Sequence, residues 1–228
     1  MQALLIACDQ DESAILSVVL QRAGLTHERA NSLEAVLEAH PPKPADMLII
    51  AGTTPVAELH AQIRRLRAQT EAPLLLITEK LTEDDQVLLL KAGVDLLVER
   101  PFSARLLIAQ TQALLRRTAG VHFFSLPTLT IAGLTLNPAT RTVQVLGGEE
   151  QRLTQLEFRL LYTLMVHRGQ ILPAEVLVEH VWGYAGEGDR NLVRGLMSRL
   201  RAKIEPQPKT PRYVVTIPGV GYQFTPLE

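Results

Sequence analysis

A basic segment with helical spacing lies near the C-terminal end of the chain. Arg190 to Lys203 carries five basic residues and no acidic one. A basic helix face can bind the phosphates and base edges of DNA, although the same pattern is also typical of a solvated face. At 3.6 residues per turn the segment has one apolar side and one basic side. The apolar side holds Val193, Leu196, Met197, Leu200 and Ile204; the other side holds Arg194, Ser198 and Arg201, with Arg190 and Arg199 at its flanks.

The chain offers few residues for covalent or metal chemistry. Its single cysteine, Cys8, excludes an intramolecular disulfide and an all-cysteine metal site. Cys8 ends an apolar run, which favours a small buried hydrophobe over a reactive thiol, unless the fold places Arg100 beside it. The six histidines show no metal-ligand spacing, and no nucleophile–base pair stands out. The sequence therefore predicts no enzyme, no metal site and no cofactor.

Composition predicts a folded protein of one or two domains. The chain has 228 residues, of which 46% are hydrophobic and 21% charged. Residues 1–117 hold 12 Lys and Arg against 15 Asp and Glu, whereas residues 118–228 hold 11 against 9. This asymmetry indicates an acidic interaction half and a half that meets an anion. The apolar run Ala3–Cys8 is too short for a signal peptide, and no run is long enough to span a membrane, so we expect a cytoplasmic protein.

The first half alternates between strand and helix patterns. Near-continuous apolar strands between helices predict a doubly wound α/β domain with a five-stranded parallel sheet covered on both faces. The predicted strands are Ala3–Cys8, His27–Ala30, Met47–Ala51, Leu74–Thr78 and Leu96–Val98. The predicted helices are Ser13–Ala23, Leu33–Ala39, Val56–Gln69, Thr82–Ala92 and Ser103–Arg117.

The second half has the order of an α+β winged helix. A hairpin around Ala132-Gly133 and a strand at Thr140–Leu146 precede three predicted helices, and a second hairpin turns through Pro218-Gly219. The predicted helices are Thr154–His167, Pro173–Val181 and Arg190–Ile204; the last strands are Tyr213–Thr216 and Gly221–Phe224.

Five segments resemble response regulators of the OmpR/PhoB type. LTQLEFRLLYTLMVHRGQIL, EHVWGY, LMSRLRAKIEP and PRYVVTIPGVGYQF resemble the family's C-terminal domain, and KAGVDLLVERPF resembles the last strand region of its receiver domain. The resemblance implies a flavodoxin-like receiver over residues 1–118, a linker over 119–127 and a winged-helix DNA-binding domain over 128–228. It also implies double-stranded DNA as a partner, a homodimer formed through the receiver, and contact with RNA polymerase by the loop that begins at Trp182, a residue that we expect in the core.

The receiver departs from the family at its phosphorylation chemistry. The family phosphorylates an Asp at the end of the third strand, with magnesium held by two acids after the first. Here Ala51 stands at the acceptor position. Cys8 replaces the first acid of the pair, so that only Asp9 remains, with Asp11 as a displaced candidate for the missing acid. Since alanine offers no nucleophile, we expect no acyl phosphate at position 51, and the sequence gives no support for a cognate kinase. Asp46 and Asp9 remain as substitute acceptors.

The remainder of that pocket is predicted to be vestigial. Thr78 matches the family's Thr, and Arg100 replaces its Lys. We expect Arg100 to pair with Asp9 or Asp11 and to fill the space left by magnesium and phosphate. The vestigial pocket is therefore predicted to consist of Cys8, Asp9, Thr78 and Arg100.

The DNA-binding residues follow from the resemblance. Arg199 and Arg201 occupy the family's phosphate- and base-contacting positions, and Pro218 replaces the Arg that tips the wing. The predicted DNA-binding set is Arg190, Asn191, Arg194, Ser198, Arg199, Arg201 and Thr216.

The family's active dimer pairs through the fourth helix, fifth strand and fifth helix, using ion pairs between subunits. Leu106, Gln110 and Gln112 replace an acid and two arginines on that face, while Lys91 and Asp95 are kept. A dimer on this face should therefore be more apolar than usual.

These observations predict a DNA-binding transcriptional regulator that does not depend on aspartyl phosphorylation. One alternative is a regulator phosphorylated at a relocated acceptor. Another is an interaction or adaptor protein whose winged helix no longer reads DNA, which the uncharged Pro218 and the modest charge of the second half favour.

Overall fold

The structure, a computed structural model, describes residues 1–39, 45–119, 126–183 and 190–225. The chain divides into two compact units, Met1–Leu115 and Arg116–Glu228. Most of the predicted linker, residues 120–125, lies outside the described residues, and position 119 is the last residue of a helix.

The first unit is a doubly wound α/β domain, as predicted. Its strands form one sheet in the order β2-β1-β3-β4-β5 with every neighbouring pair parallel. The strands are β1 (Gln2–Ala7), β2 (Thr26–Ala30), β3 (Met47–Ala51), β4 (Leu74–Thr78) and β5 (Leu96–Glu99). The helices are α1 (Gln10–Arg22), α2 (Leu33–Glu38), α3 (Val56–Arg67), α4 (Glu83–Ala92) and α5 (Ala104–Ala119).

The apolar strand runs form the core of this sheet. Every residue of β3 and β4 is buried, and in β1 only the first residue is partly exposed. The edge strands β2 and β5 are mostly part-exposed. Helices therefore cover both faces of the central strands, which is why these sequences are apolar throughout rather than alternating.

Side-chain caps fix where several helices begin. Asp9 accepts a hydrogen bond from the Glu12 amide at 2.7 Å, so α1 begins at Gln10 and not at Ser13 as predicted. Thr82 caps α4 as predicted, through a bond from the Asp85 amide at 3.2 Å.

The second unit is a winged helix, again as predicted. β6 to β9 form one antiparallel sheet, and β12 lies between β10 and β11 in another. The strands are β6 (Leu129–Ile131), β7 (Leu134–Asn137), β8 (Thr142–Val145), β9 (Gln151–Arg152), β10 (Ile171–Leu172), β11 (Val214–Ile217) and β12 (Gly221–Phe224). The helices are α6 (Gln155–Val166), α7 (Ala174–Val181) and α8 (Arg190–Ile204).

Two strands of the second unit escaped the sequence analysis. β9 and β10 contain two residues each, which is too short to show a strand period. Gly221 allows β12 to approach β10, because a Cβ at this position would collide with the Leu172 carbonyl. The aromatic core includes Trp182, Tyr213 and Phe224, each at most 1% exposed, so the core role expected for Trp182 is confirmed.

Candidate nucleic-acid interface and receiver pocket

The acceptor position of the receiver carries no reactive group and no access to solvent. Ala51 ends β3, is 2% exposed, and lies in register between Ala7 of β1 and Ile77 of β4. Asp46, a substitute acceptor in the sequence analysis, precedes β3 at the opposite edge of the sheet, where it accepts a hydrogen bond from the Gln2 amide at 2.7 Å. Asp46 is therefore not part of this pocket.

Arg100 fills the pocket with an ion pair, but its partner is not the predicted one. Its Nε and Nη2 donate to the two carboxylate oxygens of Glu12 at 2.7 and 2.8 Å. A second carboxylate, Glu79, lies 3.7 Å from Nη1. The hydrogen bond to Glu12 is the main cause that raises the pKa of Arg100, against the opposing effect of burial. The expected pairing with Asp9 or Asp11 is wrong because Asp9 caps α1, and the first turn then presents Glu12 to Arg100.

The other two residues predicted for the vestigial pocket, Thr78 and Cys8, have different surroundings. Thr78 is 8% exposed, and its carbonyl accepts the Arg100 amide at 2.9 Å. Cys8 is exposed just beyond β1, and its Sγ donates to the Asn31 carbonyl at 3.4 Å. The expectation of a buried Cys8 is therefore wrong, because the strand ends one residue earlier than predicted.

The pocket does not fit the magnesium ion that the family uses. Magnesium requires an octahedral oxygen shell anchored by carboxylates. Glu12 is held by Arg100, Asp9 is held by a backbone amide, and Ala51 supplies no ligand. Among the residues that the structure describes, no group of three or more His, Cys, Asp or Glu is placed to hold a metal ion.

The amphipathic pattern of α8 is confirmed by burial. The predicted apolar side is inside the domain, with Val193, Leu196, Met197, Leu200 and Ile204 at most 1% exposed. On the other side Arg190 and Arg194 are exposed, and Asn191 and Ser198 are half-buried. The side chain of Arg190 is 74% exposed and reaches Glu175 at 3.4 Å, a weak surface contact that leaves it accessible to an anion.

Arg199 belongs to the interior rather than to this face. Its side chain is 10% exposed and lies 4.0 Å from Glu157, which is itself 2% exposed. Lys203 donates to the same carboxylate at 2.7 Å. The resemblance placed Arg199 among the DNA contacts, but its position here instead links α8 to the start of α6.

Arg201 connects α8 to the wing, the hairpin of β11 and β12. Its Nε and Nη2 donate to the Val214 carbonyl at 3.0 and 2.6 Å, and Nη2 also donates to Thr216 Oγ1 at 2.9 Å. The guanidinium lies 5.8 Å from the ring centroid of Tyr222. Burial lowers the pKa of Arg201 and raises that of Tyr222. Arg201 therefore positions the wing against α8, with Thr216 exposed beside it.

A small cleft lies between α7, α8 and the wing. Its volume is about 140 Å³, and its lining includes Arg190 and Arg194 of α8, the acidic Glu175 of α7, and Thr216 and Tyr222 of the wing. The wing tip itself carries no charge between Thr216 and Gly221. Gly219, at φ +75°, follows Pro218 in a turn closed by the Val220 amide and the Ile217 carbonyl at 3.0 Å.

Two buried acids that the sequence analysis missed hold this surface together. Glu157 accepts the Thr154 amide at 2.9 Å, completing a capping box at the start of α6. Glu205 accepts the amides of Arg212, Tyr213 and Val214 at 2.7 to 3.2 Å, joining the end of α8 to β11. The T-x-x-E spacing of Thr154 and Glu157 is a capping-box pattern from which the role of Glu157 could have been predicted. The role of Glu205 depends on a loop conformation that no local sequence pattern indicates.

Comparison with known proteins identifies the second unit. A family model described as "Transcriptional regulatory protein, C terminal" matches residues 148–224. The DNA-binding domain of RstA from Klebsiella pneumoniae, solved in complex with the RstA box, is 32% identical. That match covers 45% of this chain and 100% of that one, with a TM-score of 0.41.

Matches over both units come from solved structures of lower identity. A RitR mutant is 21% identical over 98% of each chain, with a TM-score of 0.76. DrrB from Thermotoga maritima, described as an OmpR/PhoB homolog, is 23% identical over 98% of each chain, with a TM-score of 0.42. The second unit is the C-terminal domain of a transcriptional regulatory protein. This regulator joins that winged-helix domain to a unit with the receiver fold, in which Ala51 stands at the acceptor position.

The regulator shows no helix that could cross a membrane in the part of the chain that the structure describes.

Proposed function

We propose that this regulator binds specific double-stranded DNA as a homodimer and works without aspartyl phosphorylation in the cytoplasm. The observation that carries the proposal is the pairing of Arg100 with Glu12, which occupies the space where phosphate and magnesium act in the family. Output would then depend on abundance, on dimerisation, or on a ligand or partner of the receiver. The family's contact with RNA polymerase involves the loop that begins at Trp182, and residues 184–189 of this loop lie outside the described residues.

The position of α8 supports DNA binding by a small set of exposed side chains. Arg190 and Arg194 project from its N-terminal half beside the cleft under the wing. Arginine can reach guanine edges in the major groove as well as phosphates, so these two residues are the strongest candidates for direct contacts. Asn191 and Ser198 flank them, whereas Arg199 and Arg201 act by positioning.

A second candidate function is that of an adaptor with a drifted winged helix. The uncharged wing tip favours it, because no side chain between Thr216 and Gly221 can attract a phosphate. The engagement of Arg201 with Val214 and Thr216 also removes donors from the predicted DNA face.

Selection of bound duplexes from a random pool, followed by titration of the enriched sequence, separates the two functions. The regulator should enrich one sequence, and Arg194→Ala should weaken binding by about 1–3 kcal/mol. Arg29→Ala, which removes an exposed arginine from β2 of the receiver, is the matched control and should leave affinity unchanged. Enrichment of no sequence, with equal weak binding by every variant, would support the adaptor.

A further inference from the structure

The outer face of α1 carries an exposed stripe that none of the described residues of the first unit covers. Ile15 and Val18 are 55% and 50% exposed, and Asp11 and Arg22 extend the stripe at either end as exposed residues. The spacings of four, three and four residues place these four side chains within about 60° of one another around the helix. The buried residues of α1, among them Leu16 and Leu20, lie on the opposite side. Adjacent exposed apolar side chains that are rimmed by charged residues can mark an interface.

The four positions of the stripe are spaced symmetrically about its midpoint, with an acidic residue at one end and a basic residue at the other. If a second α1 packs antiparallel against the first, Ile15 of each copy meets Val18 of the other. The same arrangement places the acidic end of one helix, Asp11, opposite the basic end of the other, Arg22. A twofold axis requires this self-complementarity, since each patch must fit itself. We propose that two copies of the chain pair through this face, with an apolar centre and an ion pair at each end.

An apolar cleft extends the same surface. It lies beside Ile15, has a volume of about 520 Å³, and includes Phe102, Pro101 and Ala104 at the start of α5. Its polar edge is the Arg100–Glu79 pair described above. A partner helix on the stripe would therefore meet further apolar surface on that side, which increases the area that a dimer can bury.

The α4–β5–α5 face, which the resemblance favoured for the dimer, is less suited to the family's ion pairs. Asp95 was expected there as an intersubunit partner, but it is 1% exposed and is held by Arg67 within the same chain. Its Oδ2 also accepts the Leu74 amide at 2.9 Å. Leu88 and Leu106 are exposed on this face, and Asp84 and Lys91 flank Leu88 on α4, but with Asp95 buried the face lacks one of the acids that the family's ion pairs use.

This inference rests on the homodimer of the proposed function and names its surface, so its test measures association without DNA. Sedimentation equilibrium of the full chain gives the dimer dissociation constant. Asp11→Arg places two like charges at each end of the interface and should raise that constant roughly tenfold, as should Arg22→Asp. The double variant restores opposite charges and should return the constant to within about threefold of the wild type.

The double variant separates pairing from damage to the helix. Each single change reverses a charge that suits the dipole of α1, so a purely structural effect would add in the double variant instead of cancelling. Leu106→Glu on α5 is the matched control and should leave the dissociation constant unchanged. If Leu106→Glu dissociates the dimer and the α1 variants do not, the proposed α1 interface is wrong but the proposed homodimer stands. A wild-type chain that stays monomeric at every concentration overturns both, and titration with DNA then shows separately whether DNA binding survives.

Discussion

Arg100 and Glu12, 88 positions apart in the sequence, form a two-bond ion pair between the end of β5 and the first turn of α1. Each side chain is 18% exposed, so water screens the pair only in part. In a receiver that transfers phosphate, this region must admit an anion and a metal ion. Here one protein cation and one protein anion neutralise each other in that place, which ties the C-terminal edge of the sheet to α1.

The pair should contribute to the stability of the receiver. Arg100→Ala leaves the Glu12 carboxylate partly buried without its main donor, and we expect the free energy of unfolding to fall by roughly 2–3 kcal/mol. Arg100→Lys should recover part of the loss, because Lys keeps the charge but cannot donate two parallel bonds. Calorimetry of the full chain measures the effect. Arg105→Ala, at an exposed position on α5, should change stability by less than about 0.5 kcal/mol, and an equal loss in both variants would contradict the assigned role.

Small-molecule phosphodonors should not modify the receiver. Incubation with such a donor and magnesium should leave the intact mass unchanged, because Ala51 has no nucleophile and Glu12 is engaged by Arg100. A phosphotransferring receiver treated in parallel shows that the donor is active. An acid-labile adduct of one phosphoryl group would revive the relocated acceptor, and peptide mapping would decide between Asp9 and another acid.

Most of the fold was readable from the sequence, because the relevant signals are local. The buried strands Met47–Ala51 and Leu74–Thr78 agree with the structure residue for residue. So does α8 (Arg190–Ile204), whose apolar stripe is long enough to define a period. The start of α1 was missed because Asp9 was assigned to the vestigial pocket and its capping role was overlooked.

The site was less predictable, since it depends on which distant side chains meet. Helical spacing placed Arg199 at the flank of the predicted DNA-binding face, but in the structure its side chain is largely buried beside Glu157. The choice of Glu12 over Asp11 as the partner of Arg100 follows from where the helix begins, a shift that sequence patterns locate only to within a few residues. Asp95 looked like an interface acid until Arg67 was found beside it.

Glu205 should be a major determinant of winged-helix stability. It is 7% exposed and its carboxylate accepts three backbone amides, so Glu205→Ala would leave buried donors without partners. We expect a loss of about 3 kcal/mol, and a smaller loss for Glu205→Gln, which keeps one acceptor oxygen. Denaturant unfolding of the full chain gives both values. Equal losses for the two variants would mean that packing, and not hydrogen bonding, explains the effect.

Alkaline pH should weaken the junction between the wing and α8. Burial raises the pKa of Tyr222 in the folded protein, with a smaller opposing effect of Arg201. The folded state therefore holds this phenol proton more tightly than the unfolded state. The contribution of this proton to stability is therefore complete below the unfolded pKa of about 10, and it is lost as the pH rises through the folded pKa. Unfolding measured between neutral and alkaline pH should show this loss, and Tyr222→Phe should reduce it. An equal alkaline loss in Tyr222→Phe would assign the titration to another group.

The wing tip offers the sharpest test of how this regulator holds DNA. Pro218 and Gly219 form a stiff, uncharged turn, so wild-type affinity should depend on α8 and not on minor-groove contact. Pro218→Arg should tighten binding to the selected operator and steepen the slope of log affinity against log salt by roughly 1. Pro218→Gln, which adds length without charge, should leave the slope unchanged. Salt titration of the three proteins measures both quantities. If Pro218→Arg creates binding of equal strength to the operator and to a scrambled duplex, while the wild type binds neither, the winged helix has lost its readout and the adaptor function stands.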